Sequence, residues 1–229
     1  MTTRLYLVRH GATPLSAEDR FAGSENIQLS EEGRAQITRL AQRLKDDGIH
    51  AIYCSPLDRT LETASIIAKP HQLTPIPKDG IREASHGHWE GLSRKEVEEQ
   101  FLEEYAAWEA DPFTFAPKGG ESGISVLARA LPVIHEVVVK HKDKNIVVVS
   151  HKATLRIIIS SLLGFDVRGY RDRLDQAPAC LNILDFKDSV RARLMLFNDI
   201  SHYADHPHRP HHQISRWWDT GTAQDEGKG

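Results

Sequence analysis

A chain of 229 residues with 40% hydrophobic and 27% charged side chains has enough apolar material for one substantial α/β core and needs no second. Its net charge of −3 argues against general binding to nucleic acid or to a membrane surface, so any positive site must be local. No apolar run approaches the roughly 20 residues that cross a bilayer, no signal-peptide pattern precedes the first strand, and the two cysteines suit a reducing cytoplasm better than a disulfide framework.

In chain order, Leu5-Tyr6-Leu7-Val8 reads as a buried strand that ends in Arg9-His10-Gly11. Ser30 is placed to cap a first helix, with Glu31 and Glu32 in its first turn, an apolar stripe of Ile37, Leu40, Ala41 and Leu44, and Gly48 to end it. Ala51-Ile52-Tyr53-Cys54 is a second strand. Ser55 then reads as an N-cap and Pro56 as the first helical position of a helix reaching Ala68. Arg59 is out of place there, because a cation in the first turn opposes the helix dipole unless an anion is held beside it. Leu73 to Pro77 suggests a strand weakened by two prolines. Val97, Phe101, Tyr105 and Trp108 recur at helical spacing in the acid-rich stretch 93–111, a stripe that reads as packing.

A longer helix is expected from about Ser122 to Lys140, with Leu127, Leu131, Ile134 and Val138 facing inward and Pro132 kinking or breaking it. Asn145 to Ser150 forms another β-branched strand, and it ends in His151. From Lys152 a helix follows, with Leu155, Ile158, Ile159, Leu162 and Leu163 at helical spacing and Gly164 to stop it. Ala179 to Phe186 and Ala192 to Asn198 form a closing pair of strands. From residue 201 the chain reads as a polar tail. Its His202, His206, His208, His211 and His212 fit no recognised metal-ligand spacing, Trp217-Trp218 suit packing on the domain or a partner subunit, and 219–229 have the composition of a disordered end.

Strands alternating with helices predict a mostly parallel sheet covered on both faces, which is a three-layer αβα sandwich. Ligands of such sheets bind beyond the carboxyl ends of the strands, where both His10 and His151 are expected to project. Arginine grips phosphate oxygens with a planar fork, histidine can attack phosphorus, and glycine lets the backbone approach a ligand.

Five stretches in order extend this pattern: Arg9-His10-Gly11-Ala12-Thr13; Ser55-Pro56-Leu57-Asp58-Arg59-Thr60; Arg82-Glu83 with Gly87-His88-Trp89-Glu90-Gly91; Gly119-Gly120-Glu121-Ser122; and Ser150-His151. On these the chain resembles the histidine phosphatase superfamily, also called phosphoglycerate mutase-like, and more its phosphatase branch. The resemblance covers most of residues 4 to 165. It implies a domain over 1–200 with a helical insertion at about 93–118 over the site, followed by the tail 201–229. It also implies a cofactor-independent phosphatase for small phosphomonoesters such as phosphoserine, sugar phosphates or sugar-acid phosphates, working through a phosphohistidine with no metal. A mutase on the same fold is the alternative, and a catalytically silent binding module a third class.

By the same resemblance His10 is the nucleophile, with its second ring nitrogen donating to the backbone near Gly11. Arg9, Arg59 and His151 surround the phosphoryl oxygens, and Glu83 is the general acid and base. Ser16, Ala22, Gly23, His86 and Lys152 are the candidate substrate-binding residues. Ser16 stands where the family often has asparagine. Lys152 stands where glycine is usual, so it either adds a cation to the pocket or is a solvated residue at a helix start. A small phosphorylated substrate is the expected partner. Dimers are common in the family, which leaves a homodimer open.

Overall fold

The computed structural model describes residues 2–17, 20–23 and 25–205, and the tail histidines from His206 onward and Trp217-Trp218 lie outside these. A six-stranded sheet runs through the molecule. Its strands are β1 (Thr3–Arg9), β2 (Ile49–Cys54), β3 (Ile76–Pro77), β4 (Asn145–Ser150), β5 (Leu181–Phe186) and β6 (Ala192–Asp199), in the spatial order β3-β2-β4-β1-β5-β6. The first four named in that order pair in parallel, and β5 runs antiparallel to both of its neighbours. The expectation of a mostly parallel sheet therefore holds, with a hairpin closing one edge.

Successive side chains of a strand point to opposite faces, and each central strand here is apolar on both. Tyr6 and Val8 of β1 and Val147 and Val149 of β4 pack against α1 (Glu31–Leu44) and α2 (Asp58–Ala68), through Ile37, Leu40, Leu44, Ala64 and Ile67. Leu5, Leu7, Ile146 and Val148 face the other way, onto α5 (Gly123–Lys140) and α6 (Lys152–Leu162), reached after α3 (Arg94–Gln100) and α4 (Leu102–Ala110) in the chain. Sheet and helices make the three layers of an αβα sandwich. A short α7 (Tyr170–Arg173) follows α6. Among the described residues no helix is long and apolar enough to cross a membrane.

Several local expectations need correction. α2 starts at Asp58 with Leu57 as its N-cap, so Ser55 does not cap it and Pro56 is not its first residue. The Ser55 hydroxyl is engaged elsewhere, and the Thr60 hydroxyl ties the turn by donating to the Ser55 and Leu57 carbonyls. Of the stretch 73–77 only Ile76 and Pro77 pair, as expected for a strand that proline deprives of donors. The stretch 93–111 is two helices joined at Phe101, whose ψ of 46° leaves the helical region. Its stripe does pack: Val97, Tyr105 and Trp108 are buried with Phe21 and Trp89 in a small second core. In α5 the buried face is Val126, Ala130, Ile134 and Val137, with Val138 beside it; Leu127 and Leu131 sit at its flank, half-buried. The helix runs through Pro132, which is exposed together with Ala128, so the lost hydrogen bond falls on the solvent side. Cys54 and Cys180 are buried free thiols, both pushed up to about 12 by burial.

The loop after β1 is locked to the start of α1 by two glycines. The Ser30 hydroxyl accepts from Gly33 N and donates to the Ala12 carbonyl. A Cβ on Gly33 would lie 2.1 Å from the Ala12 carbonyl oxygen, and one on Gly11 2.6 Å from that of Gly33. Neither clash is with a flexible side-chain end, so backbone must move. Gly33→Ala is therefore expected to destabilise the fold by about 1–3 kcal/mol and to displace the loop that carries His10. Urea unfolding checks this, and an unchanged midpoint would show that the close approach is dispensable.

Candidate active site

Parallel pairing brings the site together. Arg9, the last residue of β1, is in register with Ser150, the last of β4, and Val149 with Cys54, the last of β2. His10, His151 and Ser55 each follow one residue later, so all three leave the sheet at one edge. His10 N donates to the Ser150 carbonyl, and the two imidazole centroids stand 5.2 Å apart, edge to face.

Both rings are buried and both are oriented. His10 Nδ1 donates to the Gly11 carbonyl at 2.8 Å, which places its lone pair on Nε2. His151 Nε2 lies 2.8 Å from Ser55 Oγ. Leu57 N also donates to that oxygen, at 3.5 Å, so the Ser55 hydroxyl and the His151 ring hold each other in place. The His151 Nδ1 is buried and has no hydrogen-bond partner among the described residues. Burial holds both histidines well below 6.5, and the neighbouring cations Arg9 and Arg59 push in the same direction. Both imidazoles are therefore neutral at pH 7.

Arg9 and Arg59 are buried cations tied mainly to carbonyls. Arg9 Nη1 donates to Gln176 O at 2.6 Å, while its Nε has no hydrogen-bond partner among the described residues. Arg59, second residue of α2, donates to the carbonyls of Glu25 at 2.6 Å and Gly23 at 2.9 Å. The dipole conflict read from the sequence is thus real; among the described residues the direct partners of Arg59 are these carbonyls, while the carboxylates of Glu83, Glu90 and Glu25 act on it from further off. Gly23 adopts a φ of +44°, and a Cβ there would strike the Glu90 carboxylate at 2.2 Å. Ala22 neighbours it in the same turn, half-buried. Ser16 lies in the 3-10 turn Pro14–Ala17, and its side chain falls outside what is described.

Glu83 is fixed by the start of α6. Its Oε1 accepts from Ala84 N, Thr154 N and the Thr154 hydroxyl, and its Oε2 from Ala153 N at 3.2 Å. Arg129 holds the loop beneath it, donating to the carbonyls of Gly80, Arg82 and Glu83 and pairing with Glu121. Glu121 in turn accepts from Ser85 N. Gly87 packs backbone to backbone on this segment, since a Cβ there would lie 2.2 Å from the Lys118 carbonyl oxygen. The two glycine-bearing stretches are therefore a clamp on the Glu83 loop.

His86 follows in that loop, its ring edge-on to Phe21 at 4.8 Å and to Trp108 at 6.4 Å, with Nδ1 buried and without a hydrogen-bond partner among the described residues. Arg171 lies over Trp108 at 4.5 Å and donates to the Trp108 and Glu109 carbonyls, which fastens α4 to α7. Lys152, first residue of α6, sits 3.5 Å from Asp175 and is not a freely solvated side chain. Sequence reasoning missed Ser55, Arg129, Arg156 and Asp175 as contributors; only contact geometry marks them out. His202 is half-buried beside Tyr203, directly after β6.

The model of the histidine phosphatase superfamily (branch 1) matches residues 5–200. Phosphoserine phosphatase 1 of Hydrogenobacter thermophilus is 38% identical over 72% of this chain and 78% of that protein. Glucosyl-3-phosphoglycerate phosphatase of Mycolicibacterium vanbaalenii is 33% identical over 72% and 76%. Among solved structures, Bacillus stearothermophilus YhfR superposes with a TM-score of 0.81 at 28% identity, covering 87% of this chain and 98% of that one.

The depressed histidines fix a sign for acid stability. Unfolded, each histidine takes up a proton below about 6.5; folded, His10 and His151 do so only at lower pH. The unfolded state then binds more protons, so stability is present above 6.5 and is lost as pH falls. Between pH 6.5 and 5.5, His10→Asn should lose about 1 kcal/mol less stability than wild type in chemical denaturation. Equal losses would mean that His10 titrates normally.

Proposed function

The chain belongs to the histidine phosphatase superfamily, branch 1, and from that premise we propose that it hydrolyses its substrate in two displacements through a phosphohistidine at His10. It is a phosphomonoester hydrolase acting on small phosphorylated substrates, as its phosphatase-named relatives support. The observation that carries the proposed route is the pairing of His10 Nδ1 with the Gly11 carbonyl, because it leaves Nε2 as a buried, neutral nucleophile among cations.

In the first displacement the Nε2 lone pair forms the N–P bond as the ester P–O bond breaks, and Glu83 gives its proton to the departing oxygen. In the second, water attacks phosphorus, Glu83 accepts the water proton, and the P–N bond breaks to release phosphate and neutral His10. Arg9 Nε, His151 Nδ1 and the Arg59 guanidinium line the place where phosphoryl charge persists. Phosphoryl transfer depends chiefly on such positioning and electrostatic stabilisation. Ser55 is a positioning residue in this scheme, since it holds the His151 ring in place. The insertion 93–118 and the domain limits at 1–200 frame the non-phosphate side, with His86 facing the leaving group.

His10→Ala should abolish phosphate release from an aryl phosphate and remove the acid-labile phospho-enzyme, as read by rapid quench with radiolabelled substrate. Full activity in that variant would end the proposal. Glu83→Gln should slow alkyl phosphates by about 10²–10⁴-fold and activated aryl phosphates far less, since only a poor leaving group needs the proton. Equal losses in kcat/KM for both classes would give Glu83 a different role.

A further inference from the structure

Behind Arg9 and His10 lies a pair of buried amides that the proposed route does not use. Gln176 and Asn182 are both 0% exposed. Their side chains pair head to tail, with Gln176 Nε2 donating to Asn182 Oδ1 at 3.0 Å and Asn182 Nδ2 to Gln176 Oε1 at 2.8 Å. The remaining valences are filled as well. Gln176 Nε2 also donates to the Asp175 carbonyl, and Gln176 Oε1 accepts from the Cys180 thiol. Asn182 Nδ2 also donates to the Leu7 carbonyl of β1, and Asn182 Oδ1 accepts from Asn198 N of β6. Those two backbone partners fix which way the Asn182 amide points, and Gln176 follows. The β5–β6 register shifts beside Asn182, and Asn198 there adopts a φ of +48°. Two buried amides that satisfy one another add little stability over an apolar pair, but they select one geometry.

What they select is the position of the turn 176–180, which is tied to the strand end that bears the site. Gln176 O accepts from Arg9 Nη1 at 2.6 Å, Cys180 O from Arg9 N at 3.3 Å, and Ala179 N donates to His10 O at 3.0 Å. Asn198 holds the same turn from the hairpin, its Oδ1 accepting from Ala177 N at 2.7 Å. We infer that Gln176, Asn182 and Asn198 form a positioning clamp for Arg9, which sets where the Gln176 carbonyl stands and so how the guanidinium meets the phosphoryl group. This rests on the phosphatase reading, in which Arg9 lines the phosphoryl pocket, and extends it to three positioning residues. Gln176 O takes one arm of the guanidinium fork, while Nε has no hydrogen-bond partner among the described residues and is left for an anion. A carbonyl displaced by about an ångström would draw Nη1 with it and turn the fork away from the phosphoryl oxygens.

The test asks whether these residues act through Arg9. Gln176→Met keeps the length of the side chain and removes its amide; in calorimetric titration with inorganic phosphate it should weaken binding about tenfold. Asn198→Gly removes the acceptor of Ala177 N while glycine adopts the positive φ freely, and it should weaken binding at least about threefold. In an Arg9→Ala background each change should alter Kd by less than about twofold, because the group through which it acts is gone. Asn198 is half-buried on the edge strand β6, so its variant keeps the test open if Gln176→Met fails to fold. Equal losses in both backgrounds, or a lowered urea midpoint with phosphate affinity unchanged, would overturn the clamp, since a merely structural role gives one or the other. Hydrolysis of p-nitrophenyl phosphate by the wild-type protein is measured alongside. Turnover without coupling to Arg9 removes the clamp alone, and coupling without turnover removes the phosphatase reading while supporting the clamp.

Discussion

The parallel register between β1 and β4 is the constraint on which the site depends. Arg9 opposite Ser150 puts His10 and His151 one residue beyond the paired ends of adjacent strands, and the His10 amide closes the gap by donating to Ser150. A slip of one residue would turn every side chain of β1 to the other face and carry Leu5 and Leu7 out of the core they share with α5 and α6. The apolar alternation on both faces therefore protects the catalytic geometry. Packing energy spent on Leu5, Tyr6, Leu7 and Val8 is at once what keeps two imidazoles within 5.2 Å of each other.

Such a site carries an electrostatic cost that the fold offsets only in part, through Glu83 acting on both arginines, Asp175 on Arg9, and Glu90 and Glu25 on Arg59. Arg9 and Arg59 are buried, and among the described residues their hydrogen-bond acceptors are carbonyl oxygens. Partial charges orient the guanidinium groups without neutralising them, which leaves the positive potential to act on a phosphoryl dianion. The same potential and the same burial keep both histidines neutral. A cation cluster held mainly by carbonyls and a neutral His10 are thus one arrangement seen from two sides, because a carboxylate salt-bridged to Arg9 or Arg59 would weaken both.

How far the site was legible in the sequence follows from the range of each signal. β1, β4 and α6 were readable because apolar runs and helical periodicity are local, and the placement of His10 and His151 followed from strand ends plus the rule for open sheets. Ser55 was misread for the same reason. Its neighbours make a good local cap, yet a partner 96 positions away takes its hydroxyl. The buried face of α5 was offset because Leu127 and Leu131 are as apolar as Val126 and Ala130, and only docking against the sheet decides which of them faces inward. Arg129, Arg156 and Asp175 carry no local signature at all; a polar residue on a helix or in a loop reads as solvated until its partners are known.

The two sides of the pocket are built on different physical supports, and this separates their tasks. Arg9, His10, Ser55 and His151 leave adjoining strand ends, where backbone pairing sets positions closely. His86, Trp89 and Trp108 instead belong to a small aromatic core under α3 and α4, fastened to the main body through Arg171 stacked on Trp108. Side chains of that smaller core can change shape and size while the strands that hold His10 and His151 stay in register, so in the proposed route the leaving-group side is separable from phosphoryl transfer. In the proposed route Glu83 serves both sides, since it reaches the ester oxygen that joins them. Its carboxylate is accordingly held by backbone and hydroxyl donors at the start of α6, and its loop is clamped beneath by Arg129 and Glu121. Double anchoring of that kind suits the proposed proton carrier at the boundary, because an error of an ångström there would break the link between departure of the leaving group and activation of water.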